Sequence, residues 1–339
     1  MKKGNTTFLG VLTIGLIIGF LTVNAASVGA QGAASGKKVE LKAISFMPAN
    51  VTKSKLFKEY LSRVEKASNG ELSMKYLGGP EVIGIPEQGQ AVARGTVDMA
   101  LLPPSVIQGM VPESNVTILS RGLTQEEEIE RGIIGKLQPF HNKANLYCLG
   151  EIFGVNAPQF MLYTKKKIEK LSDMKGMAIG MNGPMFKPAA DALGLVMKVV
   201  PFSEAYTALE RKVVEGWFSS HSAITSFAGQ EQLKYCVDHA VFVDPAMVII
   251  SLAKWNSLSK NAQNALQKTL LDNCAEFGRL NTEDETKSIA ICKKAGIEYV
   301  KLPKNEAQIY LDTIYNSMWS DWEKKMPGSV PELRKLLTK

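Results

Sequence analysis

From Val39 to Leu102 strand-like and helix-like segments alternate, and that alternation limits the folds open to this chain more than any other feature. Val39–Phe46 runs apolar with a strand's alternation. Ser54–Ser68 then carries Leu56, Tyr60, Leu61, Val64 and Ala67 at helical spacing and stops at Asn69-Gly70, a helix-ending pair. Glu71–Leu77 reads as a second strand, Pro86–Arg94 as a helix with its proline in the first turn and Gly95 at its end, and Thr96–Leu102 as a third strand. Strands joined through helices lie side by side and parallel, with the helices covering the sheet. The turn Pro103-Pro104-Ser105 then falls at a carboxyl end of that sheet, where open α/β folds bind ligands.

The pattern restarts near Gly154, with strands expected over Phe160–Thr164, Met177–Met181 and Leu195–Val200 and helices over Met185–Leu193 and Phe202–Lys212. A strand-like run, Met247–Leu252, leads to Ser259, an N-cap residue, and to a helix-rich pattern that continues to about Ala295. The expected fold class is therefore α/β, two lobes around a ligand cleft. Lobe I comprises residues 37–153 plus about 240–257, lobe II residues 154–239, a long helix over 259–295 spans both, and 296–339 packs a C-terminal strand and helices on the lobes. Trp319 and Trp322, three apart in a helical context, read as a packing face.

Composition decides class and compartment. The 339 residues are 45% hydrophobic and 22% charged, which is globular composition with room for two domains. Lys2 and Lys3 precede an apolar run, Phe8–Val23, and small residues that allow cleavage after Ala25 or Ala30, so residues 1–30 have the layout of a signal peptide. An uncleaved anchor is the competing reading, but the run is shorter than the ~20 residues that span a bilayer. Export to the periplasm, as a soluble and monomeric protein, is the expectation. The net charge of +7 falls to +5 without Lys2 and Lys3, too mild to imply nucleic acid. The runs Lys165–Lys167 and Glu126–Glu128 read as solvated faces. Cys274 and Cys292 sit in one helix, roughly 27 Å apart at ~1.5 Å per residue, too far for a disulfide unless the helix breaks. Cys148 reads as a buried small hydrophobe, and Cys236 is left open.

Enzymatic signatures are lacking. His141, His221 and His239 have no metal-ligand spacing, and no nucleophile elbow or phosphate loop occurs, so the sequence argues against catalysis, a metal or a cofactor.

One stretch goes further. Residues 173–220 read DMKGMAIGMNGPMFKPAADALGLVMKVVPFSEAYTALERKVVEGWFSS. Leu77-Gly78-Gly79-Pro80-Glu81 and Gly95-Thr96-Val97-Asp98-Met99-Ala100 precede it in lobe I. In that order these segments resemble the extracytoplasmic solute receptors of tripartite ATP-independent periplasmic (TRAP) transporters, over roughly residues 39 to 325. The resemblance implies a two-lobed receptor that closes on a small organic solute and hands it to integral membrane permease subunits driven by an ion gradient. A receptor of an ABC importer shares the plan and is the alternative; an exported enzyme on the same fold is a third reading.

The family's carboxylate-clamping arginine falls at Gly180, and its turn asparagine at Ser219, after Phe218. A second family arginine aligns with Gln159. The ligand contacts expected in lobe II are Asn156, Gln159, Gly180, Met181, Asn182, Met185, Phe186, Phe218, Ser219 and His221; in lobe I they are Phe46, Asn50 and Ser105. Each methionine or aromatic in that set has core packing as its alternative. Such a lining suits a neutral, aromatic or otherwise unclamped solute, because an unpaired carboxylate is costly to bury. An organic acid returns as the solute if Lys187 or His221 supplies the missing cation.

Overall fold

The computed structural model describes residues 38–120, 123–152, 160–243 and 245–338. Among them eleven strands occur: β1 (Val39–Ser45), β2 (Leu72–Gly78), β3 (Met99–Leu102), β4 (Leu146–Ile152), β5 (Met161–Thr164), β6 (Ala178–Met181), β7 (Val196–Val199), β8 (Gly216–Ser219), β9 (Tyr235–Val237), β10 (Ala246–Ser251) and β11 (Glu298–Val300). They form two sheets, ordered β2-β1-β3-β10-β4 and β11-β9-β5-β8-β6-β7. Each sheet is parallel apart from one strand: β10 runs antiparallel to β3 and β4, and β5 runs antiparallel to β8 and β9. These two strands are entered from the other sheet, at the first two of the chain's three crossings; the third leads from β10 through the long helix to β11. This is the two-lobed α/β fold that the alternation implies.

The helix that reads as Ser54–Ser68 runs Thr52–Ala67 and ends where Asn69 (φ 50°) and Gly70 (φ 88°) turn left-handed, a conformation open to both residues. Pro188 allows a helix only from its first turn onward, so Met185–Leu193 shortens to Lys187–Ala192. Phe202–Lys212 divides into a 3-10 turn, Phe202–Glu204, and a helix, Ala205–Glu210, after which Lys212 has φ 58°. One reading is corrected outright: Phe218-Ser219, taken for a turn, closes strand β8 inside the second sheet, paired with β5 and β6.

Because alternate residues of a strand face opposite sides, each sheet sorts its side chains into two cores. In the first sheet Leu41, Ala43, Met99 and Leu101 meet Phe57 and Tyr60 of the Thr52–Ala67 helix and Leu266, Leu270 and Phe277 of the long helix. The Tyr60 hydroxyl donates to the carbonyl of Leu266 at 3.0 Å. On its other face Ile44, Ala100 and Leu102 join the largest core, which also takes Leu162, Ile179, Met181 and Phe218 from the second sheet. The opposite face of the second sheet carries Tyr163, Trp217 and Cys236 against Leu209, Ile224 and Cys292.

The long helix runs Lys260–Lys294, with the Ser259 hydroxyl accepting from the amide of Ala262 at 3.0 Å as the N-cap. At ~1.5 Å per residue its 35 residues extend about 52 Å. Its first half packs on the first sheet through Leu266, Leu270 and Phe277, and its second half reaches the second through Cys292. Between them lies Glu285, whose Oε2 accepts from the amide of His221 at 3.0 Å and whose Oε1 takes the hydroxyl of Ser222. That carboxylate, with the Ser220 side chain as N-cap, anchors the helix His221–Ser226. All four cysteines are buried free thiols.

The run Glu126–Glu128 is not wholly a solvated face. Glu127 closes a capping box with Thr124, but Glu128 turns inward and accepts from the hydroxyl of Ser120. Burial pushes its carboxyl up to about 7. No described helix is long and apolar enough to cross a membrane.

Candidate functional site

Parallel strands deliver their carboxyl ends to one edge of a sheet, and in open α/β folds that edge carries the ligand. In the first sheet the edge is built by Phe46 after β1 and by Pro103–Ile107 after β3. Phe46 is half-buried against two hydrophobic cores, Ser105 is half-buried in a 3-10 turn, and Asn50 is exposed. The chain behind Phe46 is fixed: Ser45 Oγ lies 2.9 Å from Ser54 Oγ and 2.7 Å from the Tyr76 hydroxyl, and Gln88 Nε2 donates to the Ser45 carbonyl at 3.0 Å.

In the second sheet the edge is formed by the ends of β6 and β8. The lobe II residues separate there by strand parity. Met181 and Phe218 point to the face covered by Phe186, and the rings of Phe186, Phe218 and Phe242 meet in tilted and edge-on contacts at centroid distances of 4.6 to 6.3 Å. They enclose an apolar void of 10 Å³ with Ile179, Ala190 and Ile314. Gly180 points to the opposite face. It is the registered partner of Trp217 on β8, and a Cβ built on it would overlap the six-membered ring of that indole. The place of the clamp residue is thus filled from the neighbouring strand.

His221 also belongs to that opposite face. It is 3% exposed, and its Nδ1 lies 2.8 Å from the Tyr163 hydroxyl. Burial pushes its pKa down to about 4, which keeps the ring neutral at neutral pH and removes it as a replacement cation. Ser219 is buried at the end of β8, and Asn182 is exposed after β6. Asn156 and Gln159 lie outside the described residues.

Met185 and Lys187 border a second, larger space. This cavity of 580 Å³ is walled by Gln108 and Asn115 after β3, by Pro184–Asp191 after β6, and by Asp321, Trp322 and Lys325 near the end of the helix Lys304–Lys325. It therefore draws on segments that follow strands of both sheets. Lys187 Nζ lies 2.7 Å from each Asp191 oxygen, and Lys325 Nζ lies 2.7 Å from Asp321 Oδ2. Trp319 and Trp322 meet edge to face at 6.2 Å as a packing pair, and Trp322 has this second role as well. Gln108, Asn115 and Trp322 carry no local motif that would single them out; only their convergence marks them. Among the described residues no group of three His, Cys, Asp or Glu side chains could hold a metal ion.

Two sheets between which the chain crosses three times, a helix along both and a cavity bordered by segments that follow strands of both sheets define a two-lobed solute-binding protein. The chain belongs to bacterial extracellular solute-binding protein family 7 (DctP), whose sequence model matches residues 45–325. It is 24% identical over 283 residues to the Escherichia coli 2,3-diketo-L-gulonate-binding periplasmic protein YiaO, covering 82% of this chain and 85% of that one. An uncharacterised Haemophilus influenzae protein is 26% identical over 188 residues, 54% of this chain and 57% of the other. Among solved structures, a TRAP periplasmic solute-binding protein from Desulfovibrio salexigens with bound orotic acid superposes with a TM-score of 0.79 at 19% identity, covering 88% and 97% of the two chains. A Pseudomonas putida TRAP protein with bound D-glucuronate gives 0.71 at 22% identity, covering 86% and 97%. The Bordetella pertussis receptor DctP6, which binds pyroglutamic acid, gives 0.77 at 17%, covering 88% and 99%.

Proposed function

We propose that this protein is the periplasmic receptor of a TRAP transporter that captures a small organic solute without the arginine–carboxylate clamp and delivers it to membrane permease subunits. The observation that carries the solute half of this reading is the position of Gly180 beneath Trp217. A guanidinium cannot be supplied there, and the space it would use is occupied by an indole. A solute whose carboxylate entered this end of the cleft would give up hydration without a cation to receive it, at a cost of several kcal/mol. Phe46, Ser105, Asn182 and Met185, at the carboxyl ends of the strands, are the contacts this reading assigns first. Capture proceeds by hinge closure, ligand contacts from both lobes favouring the closed state. The named and solved relatives bind organic acids, so a second reading keeps an acid as the solute and takes its cation from Lys187, which borders the large cavity.

The experiment is mass spectrometry of what co-purifies with the folded protein, with a thermal-shift screen of organic acids beside net-neutral and aromatic compounds. Net-neutral hits support the unclamped reading. A carboxylate that loses affinity in Lys187→Met supports the second, and a carboxylate indifferent to that change refutes both.

A further inference from the structure

The 580 Å³ cavity has a wall chemistry that selects its solute. Two of its walls each carry an ion pair one helical turn long: Lys187 with Asp191 within one short helix, and Asp321 with Lys325 at the end of another, both at 2.7 Å. The four groups have no net charge. A solute of one sign entering between them gains from the lysines what it loses to the aspartates, or the reverse. A solute bearing both an ammonium and a carboxylate can meet an aspartate with one and a lysine with the other, leaving no charge unpaired.

Asn115 backs this wall. It is 3% exposed, its Nδ2 donates to the Pro112 carbonyl at 3.1 Å, and its Oδ1 is buried without a hydrogen-bond partner among the described residues. Trp322 and Met185 offer apolar surface alongside. We infer that this cavity holds the solute of the receptor, and that the solute is a small zwitterion, an α-amino acid in chemical class. The inference rests on the receptor reading above and is consistent with a site that has no fixed net charge.

The test is a thermal-shift and calorimetric screen with the common α-amino acids, L-proline among them, against pyroglutamate, orotate and D-glucuronate. L-Proline and pyroglutamate share a ring and a carboxylate and differ in the ammonium. An amino acid should stabilise the protein, and Lys187→Met and Lys325→Met should each weaken its binding about tenfold, the loss expected for one hydrogen bond to a charged partner. Lys268→Met, which breaks an equivalent exposed pair on the long helix, should leave the affinity unchanged. Stabilisation by the acids alone overturns the inference and leaves the receptor reading standing. An amino acid that binds equally well to Lys187→Met and Lys325→Met overturns the assignment to this cavity. If no compound in either set stabilises the protein, the inference falls together with the receptor reading.

Discussion

Gly180 and Trp217 are registered neighbours on adjacent parallel strands, and the indole lies over the glycine so closely that no Cβ fits beneath it. The relation is reciprocal. A glycine at 180 is what lets Trp217 lie flat in the lobe II core, where it is 1% exposed, and Trp217 is what fills the space that the glycine leaves.

Gly180→Ala should therefore destabilise the fold by roughly 1–3 kcal/mol, the usual cost of overpacking a core. Gly180→Arg should cost more, through displacement of the indole. Urea unfolding measures both. In a Trp217→Leu background the alanine should cost much less, and a double-mutant cycle without coupling would show that the ring is not what excludes the side chain.

The aromatic trio at the end of the second sheet gives a separate expectation. Phe186 closes the void it shares with Phe218 and Phe242, so Phe186→Ala should enlarge an apolar cavity and cost about 3–5 kcal/mol. A loss under about 1 kcal/mol would mean that the ring projects into the cleft instead of packing the lobe.

Glu285 joins the long helix to lobe II through the amides of His221 and Ser222 and the Ser222 hydroxyl. Glu285→Ala leaves those buried donors without their carboxylate, a loss of roughly 2–3 kcal/mol by the scale of charge-assisted bonds. Hydrogen exchange should show faster opening of the helix His221–Ser226 than of β1 or β3, and uniform acceleration across the protein would argue against a local anchor.

Glu128 predicts a pH effect with a defined sign. Burial raises its carboxyl to about 7 and raises that of the neighbouring buried Glu151 as well, so above the ordinary carboxylate range the folded protein holds a proton that the unfolded chain has released. Stability contributed by this group is thus lost as pH rises through that window. His141 and His221 act oppositely: burial lowers both to about 4, so the unfolded chain takes up protons first as pH falls below 6.5. The two effects separate by mutation. Glu128→Gln should raise the melting temperature relative to the parent at about pH 7.5 and show less difference at about pH 5. An equal difference at both pH values would place the proton elsewhere.

Much of the architecture was legible because periodicity is local. Leu56, Tyr60, Leu61 and Val64 announced a helix by spacing alone, and all four are buried in it. Ser259 announced the start of the long helix by its capping chemistry, and its hydroxyl accepts from the amide of Ala262. The site was less legible. Phe218-Ser219 took its identity from sheet pairing with Leu162 and Met161 of β5, a partnership between residues more than fifty apart that no local pattern expresses. His221 read as a polar group available to a ligand, yet the Tyr163 hydroxyl and the surrounding core claim it. Glu128 sat in a run of three acids, and only the packing of its helix decided that one of the three would turn inward.

The sequence by itself determined the alternation of strands and helices from Val39 to Leu102, the two-lobed class, the family and the absence of an arginine at 180, because each is written in residue types and short spacings. Tertiary structure alone decided which face Gly180 presents, that Trp217 covers it, and that Gln108, Asn115, Lys187 and Lys325 border one cavity. Those are meetings of segments far apart in the chain, and their geometry is set by how two sheets pack, which no local propensity encodes.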